Sequence, residues 1–168
     1  EGGVIATAKH FPGRGNSDMD AHDDLPFNHQ PRHVLDRIEL APFKRLIDRG
    51  LRAIMTAHTA YPALDDSNLP ATLSSRTLID LLRNELGFQG VITSDAMGMG
   101  AVAKKHGVSK GCAMALKAGC DLVLPKFEGE LRSQVYFEIK RWIDEGRITL
   151  AQLDDRVLRI LKMKFDQG

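Results

Sequence analysis

Two cysteines, one tryptophan and two tyrosines are few for 168 residues, and each scarcity removes a class of protein. Two thiols cannot build the disulfide framework of a small secreted scaffold. Cys112 and Cys120 lie in a stretch that reads as a helix running into a strand, which suits buried free thiols and a reducing, cytoplasmic setting. Charge of one sign is also missing. With 23 Lys plus Arg against 22 Asp plus Glu, neither a basic groove for nucleic acid nor an acidic tail is indicated. No apolar run approaches the roughly 20 residues that span a bilayer, and no charged segment leads an apolar one at the start, so no membrane partner is expected. An initiator methionine is absent too. The chain opens Glu1-Gly2-Gly3 and enters an apolar run at once, so an upstream portion, one that could have carried an export signal, is expected to have been removed.

What is present is ordinary globular material: 43% hydrophobic and 27% charged residues, in a length that fits a single domain over residues 1–168. Four short apolar runs are rich in β-branched residues: Val4–Ala8, Ala53–Ala57, Val91–Ser94 and Leu122–Leu124. None alternates as a half-exposed strand does, so all four read as parallel strands buried on both faces. Amphipathic helices separate them. Leu40, Phe43, Leu46 and Ile47 share a helical face that stops at Gly50; Ser74 caps a helix carrying Leu78, Leu81, Leu82 and Leu86; a third runs through Ala113 and Leu116 to Gly119. Leu131, Val135, Ile139, Trp142 and Ile143 mark a fourth helical stretch, and Thr149 with Gln152 makes a capping box for a last one. These closing helices are expected on the outer face of the sheet. The fold class is α/β, built of βα units.

Each apolar run ends in an ionisable residue: Lys9-His10, His58, Asp95 and Lys126. Parallel strands put their C-terminal ends on one side, so these groups should converge on one face. The long polar loop from Gly13 to Arg32 sits inside one βα unit, and long loops in compact domains are often functional. Its Gly13-Arg14-Gly15 lacks the third glycine of a phosphate loop, so the glycines are read as turn-makers. Asp18, Asp20, His22, Asp23 and Asp24 could bind a hard cation, although calcium-loop spacing and its terminal Glu are missing. The alternative is an Asp20–His22 dyad, in which a carboxylate fixes the imidazole tautomer and gives a proton shuttle. Asp95 ends a buried strand before the small-residue loop Ala96-Met97-Gly98-Met99-Gly100. It reads equally as an anion that attacks an electrophilic carbon and as the N-cap of the next helix.

Lys9-His10-Phe11-Pro12-Gly13, Asp20-Ala21-His22, Ala57-His58 with Tyr61-Pro62-Ala63-Leu64-Asp65, and the stretch from Leu81 through Val91-Ile92-Thr93-Ser94-Asp95 follow one another in order. Together they resemble the family 3 glycoside hydrolases, in the branch of the bacterial β-N-acetylglucosaminidases. The resemblance covers nearly the whole chain. It implies that Asp95 is the nucleophile, His22 the general acid/base and Asp20 its orienting partner, that Lys9 and His10 bind the sugar, and that His58 and Met97 wall the site, without metal or organic cofactor. Arg14 stands where many relatives carry His, and Ala21 where many carry Ser.

The resemblance further implies a (β/α)₈ barrel, of which these four strands match the fifth to the eighth; a whole barrel takes about 250 residues. The expected activity is release of terminal N-acetylglucosamine from cell-wall-type saccharides through a covalent glycosyl-enzyme. A β-glucosidase or a phosphorylase of the same family is the alternative within that chemistry. Two readings from other classes are a non-catalytic half-barrel that assembles with an N-terminal half or with itself, and a metal-binding loop domain.

Overall fold

Four parallel strands form one sheet in the order β1-β2-β3-β4: β1 (Thr7–Phe11), β2 (Ala53–Thr56), β3 (Val91–Ala96) and β4 (Leu122–Leu124). A computed structural model of the chain describes residues 3–17, 19–125 and 129–166, so Asp18 and Lys126 lie outside the described residues. Helix α1 covers residues 32–47, with its Leu35–Glu39 segment wound wider than an α-helix. The others are α2 (Arg76–Glu85), α3 (Gly100–His106), α4 (Val108–Ala118), α5 (Glu130–Asp144) and α6 (Leu150–Phe165). Strand and helix alternate as the apolar pattern requires, and the α/β class stands.

Burial explains the pairing. Phe11, Ile54 and Ile92 turn outward from the strands into a core with Phe43, Leu78 and Leu82. Ser74 caps α2 as expected: its hydroxyl accepts the Thr77 N–H at 3.1 Å and donates to Asp65. Thr149 and Gln152 form the expected capping box on α6. Gly119, at φ +127°, lets the chain leave α4 where a Cβ would stand 2.7 Å from Ile79 Cδ1; any side chain there meets both strain and a clash. Cys112 and Cys120 are free and buried. Burial pushes the Cys112 thiol up to about 12 and the Cys120 thiol up as well, which leaves both unreactive.

The structure corrects three expectations. The first strand begins at Thr7, not Val4, because Thr7 is the residue that registers with Ala53; Val4 is 82% exposed. Lys9 and His10 therefore stand within the strand. Burial on both faces holds for β2 and β3 but not for β1 and β4, which each have one neighbour among the described residues and are partly exposed. The helix expected before Gly119 stands as α4, and a further short helix, α3, precedes it, parted from it at Gly107 with φ +71°. Helix α5 does pack on α4, but α6 crosses beneath the N-terminal ends of the strands.

An ionic clamp holds α6 there. Asp121, immediately before β4 and with a wholly buried side chain, accepts from Arg83 at 2.6 Å, from Arg159 of α6 at 2.9 Å and from the Ile92 N–H at 2.7 Å. Arg156 of α6 donates to the carbonyls of Cys120 and Leu116, and Arg52 donates to the Met163 carbonyl. The charge of Asp121 is thus divided between two cations, Arg83 nearly buried and Arg159 partly exposed. Asp121→Ala should lower the unfolding free energy by about 3–5 kcal/mol, because it strands the buried Arg83 guanidinium. Asp166→Ala, at the exposed Arg52 pair, should cost less than about 1 kcal/mol. Denaturant unfolding of both variants checks this; equal losses would show that the clamp contributes no more than a surface pair.

Candidate active site

Asp95 is the last but one residue of β3, and its side chain is 17% exposed. Its Oδ1 accepts the N–H of Ala96 at 2.8 Å, and its Oδ2 lies 3.4 Å from His10 Nε2. β1 and β3 are separated by β2, and neighbouring strands stand about 4.8 Å apart. Their side chains can meet only because the sheet curls toward this face, as a barrel wall does. Burial keeps His10 below its ordinary value, with the Asp95 carboxylate partly opposing. A neutral imidazole can donate to the carboxylate without a formal ion pair. The capping alternative for Asp95 falls: Met99 occupies the cap position of α3, and no side chain bonds there.

The dyad forms. Asp20 Oδ1 accepts from His22 twice, from the backbone N–H at 3.0 Å and from Nδ1 at 2.8 Å. These bonds, the backbone one first, hold the Asp20 carboxyl below the usual carboxylate range. With Nδ1–H committed to Asp20, Nε2 is the nitrogen left to exchange protons. The ring is 71% exposed. Arg14 approaches the same oxygen at 3.9 Å.

Backbone bonds join this loop to the segment that follows Asp95. Gly100 and Ala101, just beyond Asp95, donate their N–H groups to the carbonyls of His22 and Ala21, each at 3.1 Å. Ala21 packs with Met99 and Ala101, so the methyl at this position is buried. A Cβ on Gly100 would stand 2.6 Å from the His22 carbonyl and 2.5 Å from that of Asp23. At its other end the loop is tied by the Tyr61 hydroxyl, which donates to the Gly13 carbonyl. Gly13, at φ +132°, lies against Glu39 with no room for a Cβ, which agrees with its reading as a turn-maker.

Lys9 is exposed on β1. With His10, Gly13 and Arg14 it lines a cleft of about 400 Å³ whose far side is Ile38, Pro42 and Phe43 of α1. The wall positions implied for His58 and Met97 are not where these side chains lie. His58 is 1% exposed and bonded beneath Ala96, while Met97 is 0% exposed and turned into the main core. Asp24 pairs with Lys104 at 3.7 Å. Among the described residues no three His, Cys, Asp or Glu gather as a metal ion would need.

The family model for the glycosyl hydrolase family 3 N-terminal domain matches residues 1–163. The chain belongs to glycoside hydrolase family 3. A β-hexosaminidase of Nitrosomonas eutropha is 39% identical over 150 residues, covering 87% of this chain and 42% of that protein. The structure of a family 3 β-N-acetylglucosaminidase from Paenibacillus sp. superposes with a TM-score of 0.96 at 42% identity, over 98% of this chain and 31% of that one. The Thermotoga maritima β-N-acetylglucosaminidase follows at 0.86 and 32% identity, over 96% of this chain and 35% of that one. The chain spans less than half the length of the curated relatives it matches.

Within this family 3 chain, sequence reasoning named Asp95, His22 and Asp20 but missed what aims them. Ala96, Gly100 and Ala101 act through backbone groups and Tyr61 through a buried hydroxyl. The small-residue run after Asp95 was the trace of the first three, and Tyr61 stood in the motifs without a role. Gly100→Ala tests the anchor: its Cβ must push the His22 carbonyl away. Turnover of an aryl glycoside by the active assembly should fall about 10- to 100-fold, as displacements near 1 Å do, with the melting temperature little changed. Wild-type turnover would show that the anchor does not position the dyad.

Proposed function

We propose that the chain carries the catalytic groups of a retaining exo-β-N-acetylglucosaminidase that releases terminal non-reducing N-acetylglucosamine from cell-wall-type saccharides. The observation that carries the proposal is the His22 Nδ1 to Asp20 Oδ1 bond at 2.8 Å, on a loop hydrogen-bonded to the segment that follows Asp95. A retaining mechanism needs an anion to attack the anomeric carbon and a proton shuttle for the departing oxygen. Asp95 Oδ2 is the attacking oxygen, since Oδ1 is held by Ala96. His22 Nε2 delivers a proton to the leaving oxygen, then takes one from the water that hydrolyses the glycosyl-enzyme. Asp20 steadies the imidazolium that donates in the first step and is formed again in the second, as a carboxylate partner does in other imidazole shuttles. His10, hydrogen-bonded to the nucleophile, and Lys9 beside it supply donors for sugar hydroxyls. The identities to proteins named β-hexosaminidase and β-N-acetylglucosaminidase support the sugar assignment.

The same reading makes the described sheet half of a barrel that pairs with an N-terminal half. Leu122 and Leu124 of β4 are each 38% exposed on the face where a barrel interior would lie, and Ile38 and Leu46 are exposed on α1 at the other edge. The cleft beside β1 is where a preceding βα unit would pack. Apolar area left wet forfeits about 25 cal/mol per Å², and open strand edges invite pairing. The chain by itself should therefore self-associate, most simply as a twofold dimer, and show low activity until an N-terminal half is supplied. Light scattering and an aryl-glycoside assay on one sample check this; a stable, fully active monomer would contradict it.

Asp95→Asn should abolish turnover of an activated aryl β-N-acetylglucosaminide in the active assembly without collapse of the fold, since Asp95 caps no helix. His22→Ala should slow substrates with poor leaving groups by about 10²–10⁴-fold. On the activated substrate it should give a burst and then slow release. Retained turnover in the first variant, or equal losses without a burst in the second, would remove the assigned role.

A further inference from the structure

His58 is buried at the end of β2, within a line of hydroxyls that the mechanism above does not use. Its Nε2 is 3.1 Å from the Ala96 carbonyl and its Nδ1 is 2.8 Å from Thr72 Oγ1. Thr72 Oγ1 in turn lies 2.7 Å from Thr56 Oγ1 and 3.0 Å from the Ala57 carbonyl. A carbonyl only accepts, so Nε2 carries the ring proton. Burial holds His58 below its ordinary value, so the ring is neutral and Nδ1 must accept the Thr72 hydroxyl proton. The Thr72 hydroxyl has one proton: given to Nδ1, it leaves the Ala57 carbonyl to the Thr72 backbone N–H at 3.2 Å. The chain therefore has one direction: Thr56 donates to Thr72, Thr72 to His58, and His58 to Ala96.

Ala96 is the residue that also holds the nucleophile. Its N–H donates to Asp95 Oδ1, and the next N–H, that of Met97, donates to the Leu124 carbonyl at 2.9 Å. The Ala96–Met97 peptide is thus pinned at both ends, by His58 and by β4. With its carbonyl held, Ala96 cannot shift, and a shift of Ala96 would draw its N–H away from Oδ1 and turn the carboxylate.

We propose that His58 is a positioning residue for Asp95: through the Ala96 peptide it fixes the plane of the carboxylate, so that Oδ1 is held and Oδ2 faces the anomeric carbon. Sugar contact is not its role. The inference rests on Asp95 as nucleophile, and two buried hydroxyls lined up on a ring whose other nitrogen meets the carbonyl of the next residue, Ala96, are its physical basis.

The test compares His58→Gln, whose amide can still donate to the Ala96 carbonyl, with His58→Phe, which fills the space without a donor. In the active assembly the burst rate with an activated aryl β-N-acetylglucosaminide should fall about 10- to 100-fold in the Phe variant. The Gln variant should recover most of it, while the inhibition constant of free N-acetylglucosamine stays within about twofold in both. Because the Phe variant also buries an unpaired carbonyl and can fold poorly, Thr72→Val serves as the second variant. Imidazole ¹⁵N spectra should show His58 as the Nε2–H tautomer in the unaltered chain and a mixture in Thr72→Val, with a partial loss of burst rate. Equal burst rates in the Phe and Gln variants, a loss confined to sugar affinity, or an unchanged tautomer in Thr72→Val would overturn the proposal. Asp95→Asn separates the two layers: if it retains turnover, the nucleophile assignment itself fails, whereas a dead Asp95→Asn beside a fully active His58→Phe sinks only the positioning role.

Discussion

Parallel pairing of β1, β2 and β3 is the constraint from which the site follows. Thr7, Ala53 and Val91 lie side by side in register, so the three strands end on the same side with His10, His58 and Asp95. Chemistry-bearing residues separated by scores of positions in the chain meet there because backbone hydrogen bonds align them. Curling of the sheet closes the remaining distance and brings the His10 ring to 3.4 Å from Asp95 across the end of β2. The Asp20–His22 dyad comes from no strand at all. It is carried on a long loop, and such a loop can serve chemistry only if something fixes it. The backbone bonds to Gly100 and Ala101 at one end and the Tyr61 hydroxyl at the other do so.

The two ends of the sheet divide the labour. At the N-terminal end, Asp121 and Arg83 bury their charges and the partly exposed Arg159 joins them, which holds α6 against the strands. At the C-terminal end the ionisable groups are only partly covered, and the dyad is open to solvent. Buried charge that is fully paired serves architecture; charge left half-paired at a strand end is free to react. Barrel enzymes separate stability from activity between their two faces in this way.

Much of this was legible in the residue order. The β-branched runs announced four parallel strands, the Thr149 and Gln152 spacing announced the cap of α6, and the ionisable strand ends announced the face that matters. Three things were not. Apolar content alone could not tell that Val4 lies outside the sheet, since register with Ala53 decides where β1 starts. Helix α6 has the apolar pattern of an outer helix, yet its location is set by arginine contacts to carbonyls that only the folded chain brings together. His58 and Met97 lie beside motif residues, but which way a side chain turns at a strand end depends on the packing behind it; Met97 faces Val102 and Gly111, and His58 faces Thr72.

The central claim is that Asp95 forms the covalent bond. The most direct measurement is mass spectrometry of the active assembly carrying His22→Ala, digested after brief exposure to an activated aryl β-N-acetylglucosaminide. Loss of the base for hydrolysis should let the glycosyl-enzyme accumulate. The account predicts one N-acetylglucosaminyl adduct, on the peptide containing Asp95 and localised to that side chain by fragmentation. An adduct on another residue, or steady turnover by this variant with no adduct at any time, would contradict it.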